Sequence, residues 1–175
     1  MSMNILEAGK MIAAHSRIVL ATHMLPDGDG LGAEIALFHY LHRLGKEVRI
    51  INPDAMPPRY RFLDHSHVFE SPGHLKSPMG EADLVIVVDT GDYRRLGGLW
   101  EHFRKTASTI LFLDHHPRLP DEHPSHGLPA GGGSPTIHEV IDERSSSIGE
   151  LLYRLFHVAH DELDGDNPSF RLSPE

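Results

Sequence analysis

The chain has 175 residues, enough for one ordinary domain and too few for two full-sized ones. Its composition, 39% apolar and 23% charged, is that of a soluble globular protein, and no apolar run reaches the roughly 20 residues that a membrane span needs. A formal charge of −9 argues against a surface that coats extended duplex nucleic acid, and the lack of cysteine removes disulfides, thiolate zinc sites and cysteine nucleophiles. Histidine and carboxylate remain as the strong metal ligands. The N-terminal segment MSMNILEAGKMIAAHS carries no export signature, so a cytoplasmic location is expected, with no membrane association.

Asn4 and Glu7 stand in capping-box register ahead of helical apolar spacing, which predicts a first helix over 4–15. RIVLAT (17–22) is a short β-rich run that ends at His23, and Leu31, Ile35, Phe38, Leu41 and Leu44 then repeat at helical intervals up to Gly45. EVRIIN (47–52) predicts a second strand, followed by a proline-marked connection with a short helix near 59–63. DLVIVVD (83–89) has the continuous apolar character of a central parallel strand. Residues 94–105 predict the next helix, STILFLDHH repeats the strand-then-acid design, and 117–135 is a proline- and glycine-rich loop. TIHEVID (136–142) predicts the last strand, and Ser147 with Glu150 opens a helix through Leu151, Leu152, Leu155 and Phe156. The acidic tail 161–175 is expected to be poorly ordered.

Strands alternating with helices predict an α/β domain over 1–160, with a parallel sheet of about five strands covered by helices on both faces. In such sheets ligands bind beyond the carboxyl ends of the strands. His23, Asp27 and Asp29 follow the first strand, Asp89 and Asp92 the third, Asp114, His115 and His116 the fourth, and Asp142 the last. A single acid at a strand end usually caps a helix, but four such ends in one crevice would repel one another unless cations neutralised them. Oxygen and imidazole donors without sulfur suit Mn²⁺ or a similar ion, and two ions about 3.5–4 Å apart would let one carboxylate bridge them. Asp54, Asp64 and Asp83 lack such company and read as surface or capping groups, as do His65, His67, His74, His123 and His126 in turn-rich stretches.

"THMLPDGDGLGA", "VVDTGD", "LDHHP" and "VIDERSSSIGELLY" resemble, in order and spacing, the four motifs of the DHH phosphoesterases. The Pro-Asp-Gly-Asp form is similar to the nanoRNase and pAp-phosphatase branch, related to RecJ, and the resemblance covers about 4–160. It implies one Mn²⁺ on His23, Asp27 and Asp89 and a second on Asp29, Asp89, His115 and Asp142, with Mg²⁺ or Co²⁺ as substitutes. It also implies that His116 contacts the scissile phosphate and that Asp114 orients the histidine pair. An anionic substrate needs further positive groups, and Arg94, Arg95 and Arg118, near the motif ends, are candidates. Ser145 to Ser147 could either cap the last helix or lie near the substrate.

The implied activity is hydrolysis of short oligonucleotides, as an exonuclease, or of 3′-phosphoadenosine 5′-phosphate, by two-metal activation of water. Family members also carry a C-terminal substrate-binding domain with a Gly-Gly-Gly-His motif. Here Gly131 to Gly133 are followed by Ser134 and read as a loop, so that domain is expected to be absent: lost, supplied by a partner, or cut off from a longer protein of which this is a truncated homologue, with a homodimer as a further expectation. The alternatives are a catalytically weak module that binds metal and nucleotide, and an inorganic pyrophosphatase of the same superfamily.

Overall fold

A computed structural model describes residues 1–117 and 135–163, with side chains as far as residue 158. Arg118, the Gly131 to Gly133 run and residues 164–175 lie outside the described residues.

Helix α1 (Ile5–Ala14) starts on the expected capping box: Asn4 accepts from the Glu7 amide and Glu7 accepts from the Asn4 amide. Strand β1 (Arg17–Ala21) leads into α2 (Gly28–Arg43), then β2 (Glu47–Ile51), a 3-10 turn (Pro58–Leu63) and β3 (Phe69–Glu70). Strand β4 (Ala82–Val88), a second 3-10 turn (Tyr93–Leu96), α3 (Gly98–Thr106), β5 (Ala107–Asp114), β6 (Thr136–Ile141) and α4 (Ile148–Leu163) complete the order. The predicted helix over 94–105 is thus two pieces, because Gly97 takes a left-handed φ of 54° that ends the 3-10 turn before α3 begins.

All strands pair in parallel, in the order β3-β2-β1-β4-β5-β6. Among the described residues the sheet has six strands rather than about five. The extra one, β3, is two residues long and too short to leave a periodic signature.

Side chains alternate across this sheet, so the single run in β4 serves two cores. Leu84, Ile86 and Val88 pack with Leu37 and Leu41 of α2 and Leu151 and Leu155 of α4, while Val85 and Val87 pack with Leu99, Trp100 and Phe103 of α3. Helices cover both faces, which is why β4 and β5 are apolar at nearly every position.

The chain winds outward from β1 through β2 to β3, then returns to place β4 on the other side of β1. That reversal of winding opens a crevice beyond the carboxyl ends of β1 and β4, where His23 and Asp89 stand. The N-terminus of α2 borders it. Asp27 is its N-cap and accepts from the amides of Asp29 and Gly30, so α2 begins at Gly28 rather than at the first apolar repeat, Leu31.

Candidate metal centre

The geometry is centred on Asp89, the residue after β4, which is 2% exposed and holds a left-handed φ of 64°. A non-glycine residue in that region costs of order 1–3 kcal/mol, a strain typical of functional sites. The twist lets one carboxylate face two strand ends at once. Asp89 Oδ2 lies 3.6 Å from His23 Nε2, and Oδ1 lies 3.3 Å from His115 Nε2 and 3.9 Å from His116 Nδ1. His115 Nε2 is also 3.4 Å from Asp29 Oδ2. These separations are long for hydrogen bonds, but donors about 2.1 Å from a shared ion lie roughly 3.0–3.4 Å apart. Asp89 Oδ1 is buried and accepts no hydrogen bond, an orphaned oxygen that fits a cation ligand.

Two sets of donors have atoms within 4.8 Å of one another: His23, Asp27 and Asp89 in one, and Asp89, Asp114, His115 and His116 in the other. The donor chemistry fits divalent cations. His23 Nδ1 lies 2.8 Å from the Met24 carbonyl oxygen, a contact in which Nδ1 must donate, so Nε2 is the nitrogen left for a ligand. Burial pulls the His23 pKa down more than any other single influence, yet Asp89 and the Met24 carbonyl together outweigh it and raise the pKa, against the charge of nearby Arg95.

Asp114 Oδ1 accepts from the amides of His115 and His116 and from His116 Nδ1 at 2.8 Å, so one carboxylate oxygen sets the orientation of the histidine pair. His115 is mostly buried, whereas the His116 side chain is 52% exposed at the mouth. Asp29 Oδ2 accepts from the Ile148 amide at 3.1 Å and so joins the N-terminus of α2 to that of α4.

Not every residue singled out in the sequence comes together here. Asp142 belongs to neither donor set: its Oδ2 lies 2.6 Å from Arg154, and its Oδ1 accepts from the amide and side chain of Arg144. Arg154, then the Arg144 amide, hold its carboxyl down at about 2. The carboxylate thus pairs with an arginine on each side of the start of α4, Arg144 before it and Arg154 within it. Arg94 is tied to Asp92 at 2.8 Å, while Arg95 is close enough to affect His23. At the start of α4, Ser147 Oγ accepts from the Glu150 amide, and Glu150 returns the bond to Ser146, one residue off the expected box. Asp83 pairs with Arg17, Asp54 accepts from the Leu25 amide and Asp64 from the Val68 amide, so these three serve local structure.

The sequence reading missed a buried layer beneath the ligands. Glu34 on α2 is fully buried; its Oε2 accepts from Asn52 at 2.8 Å while its Oε1 has no partner. Asn52 accepts in turn from the Thr22 amide, and the Thr22 hydroxyl donates to the Val88 carbonyl. The chain of bonds ties α2 and β2 to the residues just before His23 and Asp89. Burial, opposed by Asn52 and reinforced by the Asp89 charge, pushes the Glu34 carboxyl up to about 8. Its signal was an acid three residues after Leu31 and seven before Leu41, in the apolar register of α2.

Gly30 owes its place to the same layer. A methyl group there would overlap Thr22 Oγ1 and stand 3.3 Å from Asp89 Oδ2, so the close approach of these side chains requires glycine.

Residues 17–171 match the DHH family, N-terminal domain. The chain belongs to this family. It is 31% identical over 105 residues to the bifunctional oligoribonuclease and PAP phosphatase NrnA of Thermus thermophilus, covering 59% of this chain and 29% of that protein. The Mycoplasma pneumoniae protein of the same name is 27% identical over 145 residues, covering 79% and 42%. The chain therefore spans less than half the length of these curated relatives. In fold it is similar to an exopolyphosphatase-related protein of Bacteroides fragilis, with a TM-score of 0.71 at 22% identity over 87% of this chain and 42% of that one. As in the sequence reading, the DHH fold is a parallel α/β sheet with helices on both faces. Among the described residues, no helix is long and apolar enough to cross a membrane.

Proposed function

We propose that this domain is a metal-dependent phosphoesterase acting on short oligonucleotides or on 3′-phosphoadenosine 5′-phosphate. The observation that carries the reading is the single buried Asp89 carboxylate, strained in backbone and facing His23 on one side and His115 on the other. Support for the substrate class comes from the two NrnA relatives, named as oligoribonuclease and PAP phosphatase. His23, Asp27 and Asp89 would hold one ion, and Asp29, Asp89 and His115 a second, with Asp89 shared. Asp142 is left out of this set, because Arg154 and Arg144 occupy its carboxylate. Nitrogen and oxygen donors without sulfur favour Mn²⁺, with Mg²⁺ or Co²⁺ as substitutes.

Bound divalent ions supply Lewis acidity toward a phosphoryl oxygen and a lowered pKa for attacking water. The chain's own side chains do the rest. Asp114 holds His116 through Nδ1, and a doubly protonated His116 has its second N–H to offer a phosphoryl oxygen at the mouth of the crevice. Glu34, Asn52 and Thr22 keep the ends of β1 and β4 in register beneath it.

The test is turnover with Mn²⁺ on a 5′-phosphorylated dinucleotide, on 3′-phosphoadenosine 5′-phosphate and on pyrophosphate. Release of mononucleotide, or of phosphate from the bisphosphate, supports the proposal. Cleavage of pyrophosphate alone makes the chain a pyrophosphatase, and metal uptake without turnover makes it a binding module.

A further inference from the structure

The 3-10 turn Pro58–Leu63 lies beside the metal centre and has no part in the account so far. Its Tyr60 ring packs on Gly28, the residue between Asp27 and Asp29: a methyl group on Gly28 would stand 3.2 Å from Tyr60 Cε1 and 3.7 Å from the Tyr60 hydroxyl. The Arg59 guanidinium lies over this ring, 4.8 Å from its centroid. Among the described residues, Arg59, like Arg61 and Arg95, has no carboxylate partner, whereas Arg17, Arg49, Arg94, Arg104, Arg144 and Arg154 each have one; of the three, Arg59 is the one laid over an aromatic ring. In a chain of net charge −9, an exposed guanidinium that bypasses the acids and rests on an aromatic ring is held ready for an anion from outside.

We infer that Arg59, braced by Tyr60, is a specificity residue that takes a phosphate of the substrate other than the one being hydrolysed. This rests on the phosphoesterase reading for its substrate class. The arrangement suits a nucleotide with two separate phosphate groups, one at the ions and one on the guanidinium. Tyr60 acts as a positioning residue: through Gly28 it sets Arg59 at a constant offset from the ligand-bearing turn of α2.

The experiment compares wild type, Arg59→Gln, Tyr60→Phe and Tyr60→Leu on 3′-phosphoadenosine 5′-phosphate and on bis(p-nitrophenyl) phosphate, which has no second phosphate group. Loss of one charge-assisted contact predicts a KM for the bisphosphate raised about 10-fold or more in Arg59→Gln, with kcat, Mn²⁺ affinity and diester hydrolysis within about 2-fold of wild type. Tyr60→Phe keeps the ring and should behave as wild type, whereas Tyr60→Leu should share the KM defect. An unchanged KM in Arg59→Gln, or equal loss on both substrates, overturns the inference while leaving phosphoester hydrolysis intact. Calorimetry with 3′-phosphoadenosine 5′-phosphate separates the two readings if nothing turns over. Binding that weakens about 10-fold in Arg59→Gln upholds Arg59 without hydrolysis. Binding equal in both proteins, or none in wild type, refutes it.

Discussion

Replacing Glu34 with glutamine should make the metal-free protein more stable, and by an amount that grows with pH. Glu34 is fully buried, and its carboxyl is pushed from the ordinary 4.5 to about 8. Because the folded pKa lies above the unfolded one, its contribution to stability is fully present below pH 4.5 and is lost as pH rises to about 8. At about 1.36 kcal/mol per unit, the cost is about 1 kcal/mol at pH 5 and about 3 kcal/mol at pH 7, and it levels off at about 5 kcal/mol above pH 8. Glutamine is a neutral mimic of the protonated acid: its carbonyl can accept from Asn52, and its amide takes the place of the unpartnered Oε1. Urea unfolding of both proteins in EDTA, from pH 5 to 8.5, measures the difference with all other titrations shared. The gap in favour of glutamine should widen by about 2 kcal/mol between pH 5 and pH 7. A gap that stays constant over that range would show that Glu34 is ionised in the folded state and would refute the reasoning.

Asp89→Asn should lower Mn²⁺ affinity about 100-fold or more by calorimetry and abolish the metal-induced rise in Tm, because it removes the carboxylate shared by both donor sets. Asp142→Asn should leave Mn²⁺ affinity within about 2-fold of wild type; a loss as large as that of Asp89→Asn would return Asp142 to the ligand set. Gly30→Ala should destabilise the protein by about 1–3 kcal/mol in urea and weaken metal binding, since the new methyl displaces Thr22 or Asp89. Arg154→Met should cost about 1 kcal/mol at neutral pH, a value discounted because Arg154 is two-fifths exposed. Asp142 is held down at about 2, so that deficit should fade in acid unfolding as pH drops from 3.8 through 2.

What the sequence determined by itself follows from short-range pattern. Short β-branched apolar runs such as DLVIVV, followed by an acid and alternating with helical segments, read as strands covered on both faces, and a parallel arrangement sends every carboxyl end to one edge. From this the sheet and the presence of His23, Asp27, Asp29, Asp89, His115 and His116 along one edge were legible, while the motifs at those strand ends carried the family resemblance. Tertiary structure alone decided which of those side chains meet. The return of the chain to pair β4 with β1 brings Asp89 to His23, and the left-handed backbone at Asp89 turns its carboxylate toward both histidines. Asp142 has the same strand-end position, but a residue nearly two turns into α4, Arg154, pairs with it, a contact that no strand pattern reveals. Glu34 shows the converse. An acid in the apolar register of a helix looks like an exception until the fold supplies Asn52 and Thr22 from two other strand ends. Periodicity reports which face a residue occupies, whereas the partner that meets it there comes from residues distant in the chain.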